Sequence, residues 1–149
     1  MDFQYLEHFK KLSIKCPPSH FRKMDIPLFR WVYDDINDER NFMPRTFLVP
    51  VREIEKIDQI SDPKKRDALK CTMLALSMFI SEEAALTRFN EIKATMGNVA
   101  YKRPGSNIAF LDIAKKDGVN DLPNDVGHFS HHPVVDHHYE QRFKIVSKL

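Results

Sequence analysis

Five of the seven histidines fall between residues 128 and 138: His128, His131, His132, His137 and His138. Imidazole binds zinc and other borderline metals, and Asp125 and Asp136 could add oxygen ligands or orient a ring. The spacing follows no established metal signature, since there is no His-Glu-x-x-His and neither Cys16 nor Cys71 is near in the sequence. On a strand, His137 and His138 point to opposite faces. No metal ligands are therefore assigned, and a histidine-rich, metal-dependent hydrolase stands third among the readings. A second reading makes Gly127-His128-Phe129-Ser130-His131-His132 a substrate-facing surface. Neutral imidazole donates and accepts hydrogen bonds near pH 7, which suits phosphate or ribose contact as well as acid/base work. Both compete with an ordinary polar loop and strand start, whose histidines are solvated or hydrogen-bonded and whose Phe129 is packed.

Other chemistries are weakly represented. The neighbours Asp34-Asp35 and Glu82-Glu83 diverge on any regular element, so neither pair shares a proton, and the second is explained by a helix start. With Gly97, Gly105, Gly118 and Gly127 as its only glycines, the chain has no phosphate-cradling loop, and Gly-x-Ser-x-Gly is absent. Cys71 lies in an apolar stretch, which raises a thiol pKa and makes a poor nucleophile.

The elements that must position these residues come from 149 residues, 42% of them apolar with eleven Phe, enough for one core and one domain over 1–149. Charge is interleaved: 23 basic and 21 acidic residues leave a net +2, and acids flank Lys64-Lys65-Arg66 on both sides. A nucleic-acid partner is not expected from that pattern. Met73 to Ile80 is the longest near-apolar run, too short to span a bilayer, so no membrane partner is expected either. No secretory signal pattern is seen at the N-terminus. Two cysteines without metal-type spacing read as reduced, and the protein as cytoplasmic.

Phe3, Leu6, Phe9 and Leu12 predict a helix over 2–15, stopped by Pro17-Pro18. Leu28 to Tyr33 reads as a strand, and Asn41 to Pro50 as an extended connection or edge strand. Ile54, Ile57 and Ile60 suit a short helical stretch. Asp62-Pro63 and Ser81-Glu82-Glu83 are helix starts, predicting helices near 63–72 and 82–96, the latter stopped by Gly97. Met73 to Ile80 fits a buried strand or a helix end by period. Asn107 to Ile113 reads as a strand, Lys115 to Gly118 as a turn, and Tyr139 to Ile145 alternates like a half-buried strand. The expected class is α+β: an N-terminal helix, two central helices and a small mixed or mostly antiparallel sheet. Its core is expected to include Phe29, Trp31, Leu76, Phe79, Leu86, Phe89, Phe110, Phe143 and Ile145.

This order resembles the ADP-ribosyltransferase-like fold. Arg30 sits in an early aromatic strand, Phe29-Arg30-Trp31-Val32-Tyr33. Leu76-Ser77-Met78-Phe79-Ile80-Ser81 then leads into a helix with Ala85, Arg88 and Phe89, and late strands follow. The resemblance implies that Arg30 holds the phosphate of NAD and that Ser77 orients the nicotinamide ribose. No Glu-x-Glu or Gln-x-Glu occurs in the C-terminal third, and the late strand holds His128 and His131 in place of the family's catalytic Glu. The reading is thus a nucleotide-handling domain, degenerate and binding-only or differently active, with Arg30, Ser77, His128 and His131 as catalytic candidates. Arg30, Trp31 and Phe129 are the cofactor-binding candidates. Arg30, His128 and His131 are expected to line one cleft walled by Trp31 and Phe129. The alternative is a noncatalytic protein-interaction module whose exposed aromatics meet a protein partner.

Overall fold

A computed structural model describes residues 1–96 and 105–149. In chain order come α1 (Leu6–Phe9), β1 (Ile26–Val32), α2 (Val51–Asp58), α3 (Pro63–Met73), β2 (Leu76–Phe79) and α4 (Glu82–Met96). Then follow β3 (Asn107–Ile113), β4 (Gly118–Asn120), β5 (His128–Pro133), α5 (Tyr139–Arg142) and β6 (Lys144–Lys148). The strands make one antiparallel sheet in the order β4-β5-β2-β1-β3-β6, and with the helices this is an α+β fold.

Caps set the two central helices where the sequence places them. The Asp62 carboxylate accepts from the N–H groups of Lys64 and Lys65 with Pro63 at the first helical position, and Ser81 Oγ accepts from Ala84 N at 3.0 Å. The stop expected at Gly97 lies outside the described residues. Between these helices the ambiguous apolar run resolves as β2, because Leu76 and Met78 pack with Leu28, Val32, Leu111 and Phe129 on one side of the sheet. Phe42, Tyr139 and Phe143 cover that side. Helix α4 covers the other, where Phe79, Ala85 and Ile108 pack with Phe29 and Trp31. Strands β1 and β3 pair along their whole lengths, yet β1 meets β2 at a single register pair, Phe29 opposite Phe79.

Several expectations are corrected. The helix predicted over 2–15 is only α1, because the N–H and hydroxyl of Ser13 donate to Asp67 on α3 and turn the chain. Residues 41–50 are not an edge strand: two 3₁₀ turns, Glu39–Phe42 and Arg45–Phe47, occupy the region, the first capped by Asp38. The strand predicted from Tyr139 begins only at Lys144. Tyr139 N–H donates to His137 Nδ1 at 3.0 Å and its ring stacks on that imidazole, which starts a helical turn instead. Leu86 and Ile145, expected in the core, are each 41% exposed, the first on the outer side of α4 and the second on the bordering strand β6. Leu76, Phe79, Phe89 and Phe143 are buried, and Phe29, Trp31 and Phe110 half-buried.

Cys16 and Cys71 are joined in a disulfide, which overturns the reading of both as reduced. The Ser13–Asp67 contact carries the loop after α1 onto α3, leaving the two Cα atoms 5.8 Å apart, within bridging distance. No helix among the described residues is long and apolar enough to cross a membrane.

Phe89 is 6% exposed and meets the Trp31 ring edge-on at 5.8 Å. Replacing it with Ala is expected to cost ~3–5 kcal/mol in urea denaturation. A loss below ~1 kcal/mol would remove Phe89 from the set of residues that hold α4 on the sheet.

Candidate functional site

Strand alternation decides which of the expected residues meet. Arg30 shares its side of β1 with Leu28 and Val32, and His131 shares its side of β5 with Phe129. Trp31, Ser77 and His128 face the other way, toward α4. The six residues therefore divide three and three, and the single cleft expected from Arg30, His128 and His131 does not form. The odd spacing of 128 and 131 on one strand forbids it. Nor do Trp31 and Phe129 form one wall, since they lie on opposite sides of the sheet.

On the α4 side, Ser77 Oγ and His128 Nε2 are 2.8 Å apart across the β2–β5 ladder. The loop before β5 fixes His128: Asn124 Oδ1 accepts from its N–H at 2.9 Å, and Gly127 O accepts from Ile80 N at 2.9 Å. Gly127 has φ 75°, and a Cβ there would lie 2.9 Å from the Ala84 side chain, so only glycine lets the loop close on α4. Ser77 is exposed and His128 half-buried. Burial, then the positive charges of Arg88 and Arg30, push the His128 pKa below its ordinary value. A neutral imidazole in contact with an open hydroxyl can accept its proton, or that of a ligand hydroxyl bound in its place. Trp31 borders this surface, its indole N–H donating to Ala85 O at 2.9 Å.

Arg30 has a different role. It is buried, and its Nε and Nη1 donate to Asn41 O at 2.7 Å and Ser77 O at 2.6 Å. Burial lowers its pKa to about 10, which leaves it charged at neutral pH. Two of its donor nitrogens are therefore occupied by main chain rather than presented to a phosphate.

His131 belongs to a buried chain of polar groups. Its Nδ1 lies 2.7 Å from Asn120 Oδ1 and its Nε2 2.6 Å from the Tyr139 hydroxyl. Beside them Asp117 takes two hydrogen bonds from Arg142, at 2.8 and 2.9 Å. Burial raises the Asp117 carboxyl, but Arg142 and the Ala114 N–H together leave it below its ordinary pKa. Gly118 holds β4 against this network: a Cβ there would meet His132 O and the His131 ring. The histidine cluster is thus dispersed, and no three of His128, His131, His132, His137, His138 and Asp136 offer ligand atoms to one centre. His132 instead lies near the disulfide, an association across the fold that residue spacing does not reveal. A cleft of about 340 Å³ between α1, α2 and α3, lined in part by Lys11, Leu12, Ile57, Asp67 and Lys70, contains none of the six.

No family model, curated protein or solved structure matches the chain.

The buried imidazoles make a pH prediction. Burial drives the pKa of His131 to about 3 and that of His132 to about 4, from an ordinary 6.5. Above about pH 6.5 both states hold them neutral and nothing is lost. As pH falls below that, the unfolded chain binds protons the folded chain refuses, and stability declines. Urea midpoints are expected to fall from about pH 7.5 to about pH 4.5, and less steeply in His131→Gln. A flat wild-type profile would contradict the burial of neutral imidazoles.

Proposed function

We propose that this domain binds a nucleotide on the Ser77–His128 surface, as a domain that resembles ADP-ribosyltransferases and uses histidine where that family uses glutamate. The observation that carries the reading is the 2.8 Å contact between an exposed serine hydroxyl and a half-buried neutral imidazole, beside Trp31. The order of elements behind the resemblance supports it. Arg30 lies on β1, Ser77 on β2, β2 leads directly into α4, and His128 opens a late strand paired with β2. Ser77 and His128 suit the hydroxyls of a ribose, and Trp31 offers an aromatic edge. Arg88, on α4 near His128 and paired at 3.2 Å with Glu91, is the cation this reading offers a phosphate, a role that the resemblance gave to Arg30. NAD is the ligand to test first. We keep a cytoplasmic site of action within the proposal, with the Cys16–Cys71 bridge as the oxidised member of a thiol couple.

A specific observation favours one other reading. Strand β6 borders the sheet with Ile145 and Val146 exposed at 41% and 44%, the geometry by which a partner chain adds a strand. That edge, rather than the exposed aromatics expected from the sequence, is the surface a protein-interaction module would use.

Thermal melting separates the two. NAD at a hundred times its dissociation constant stabilises by ~2.7 kcal/mol, a shift of several degrees for a chain of this size. The shift is expected with NAD or ADP-ribose and is expected to vanish in Ser77→Ala and His128→Ala, whose melting without ligand stays near wild type. No shift with NAD, ADP-ribose or nucleoside phosphates would overturn the nucleotide reading and leave the β6 edge as the functional surface.

A further inference from the structure

The sulfurs of Cys16 and Cys71 and a ring nitrogen of His132 all lie within 4.8 Å of one another. Three separate parts of the chain supply them: the loop after α1, the last turns of α3, and β5. Cys71 and His132 are buried, whereas Cys16 is half-buried and gives the group one open side. The imidazole is poorly satisfied for so buried a ring. Its Nε2 has only the Cys71 sulfur at 3.9 Å, and its Nδ1 has no hydrogen-bond partner among the described residues. The Phe9 ring meets it edge-on at 5.1 Å, and Phe21 lies 5.5 Å away.

We infer that on reduction of the Cys16–Cys71 bridge these three residues bind a zinc ion, so that the disulfide and the metal site are alternative states of one clamp. A dithiol reductant supplies two electrons and two protons, becoming a disulfide while the protein bridge opens to two thiols. Zinc then displaces both thiol protons to solvent and takes two thiolates, the His132 imidazole and one water on the open side of Cys16. The donor set suits the ion: two thiolates and an imidazole with a fourth position open to water is a known zinc arrangement. Bond lengths of about 2.3 Å to sulfur and about 2.0–2.1 Å to nitrogen put tetrahedral ligand atoms about 3.5–3.8 Å apart. The Cys71–His132 separation already approximates that value, and only Cys16, on its loop, has to withdraw from Cys71. In a reducing compartment, where bridges do not persist, zinc would keep the loop after α1 fastened to α3 and β5.

The test uses the full chain with cobalt(II) as a spectroscopic probe. After reduction with a phosphine, one equivalent of cobalt is expected to give thiolate charge-transfer bands and the intense visible bands of a tetrahedral site, both abolished by zinc. The oxidised protein and the Cys16→Ser variant are expected to give neither, and His132→Ala to lose the tetrahedral spectrum. If reduction loosens the fold, as judged by circular dichroism, zinc is expected to restore it. Uptake below about a tenth of an equivalent by the reduced chain, folded or not, would overturn the inference. So would an unchanged spectrum in the His132→Ala variant or in the Cys16→Ser/Cys71→Ser double variant.

Discussion

The Arg30 guanidinium ties the two halves of the sheet where their backbone pairing is thinnest. Strands β1 and β2 share a single register pair, Phe29 opposite Phe79, and besides the packing of Leu28 and Val32 with Leu76 and Met78, Arg30 reaches from β1 to the carbonyl of Ser77 on β2. Its Nε donates at the same time to Asn41 O, anchoring the first 3₁₀ turn and Phe42 over the core. Asn41 is itself tied in, its Oδ1 accepting from Tyr33 N and its amide donating to Asp35 O. A charge buried without a carboxylate is costly unless its donors are satisfied, and here main-chain carbonyls provide the partners. The position of β2, and with it Ser77, β5 and the start of α4, depends on this contact.

That constraint divides the labour of the polar residues. On one side of the sheet Arg30, His131, Asn120 and Tyr139 are spent on internal hydrogen bonds and order the core. On the other, Ser77 and His128 keep a mutual contact with an open hydroxyl. Of the five clustered histidines, one faces the proposed ligand surface, one orders a buried network, one adjoins the cysteines, and His137 and His138 shape the turn into α5. A cluster in sequence is here a set of unrelated environments, because the alternation of β5 and two residues with positive φ, Asp136 and His138, send neighbouring rings apart.

How far the sequence was legible follows from how local each cause is. Caps and periodicity are local, so α3, α4 and β3 fall where Asp62-Pro63, Ser81 and Asn107 to Ile113 place them. Failures came where a distant partner overrode a local pattern. Asp67 shortens α1 through Ser13, while at residues 139–142 a local contact the alternation does not show, Tyr139 N–H to His137 Nδ1, starts a helical turn that the Arg142–Asp117 pair then holds. The disulfide is of the same kind, since nothing near Cys16 reveals that Cys71 will stand opposite. Of the candidate residues, Ser77 and His128 lie in contact, while Arg30 and His131 face the other side of the sheet, which residue type alone does not reveal. Counting residues from 128 to 131 with a period of two separates them.

The most direct test of the Arg30 account is residue-resolved hydrogen exchange, with urea denaturation, on Arg30→Met. Methionine keeps the apolar bulk of the stem and leaves the carbonyls of Asn41 and Ser77 unpaired, a loss of ~1–3 kcal/mol for each. The account predicts that total destabilisation, together with unequal protection of the two halves: β2, β4 and β5 exchange faster than β1, β3 and β6. Stability within ~0.5 kcal/mol of wild type and uniform protection across all six strands would contradict it.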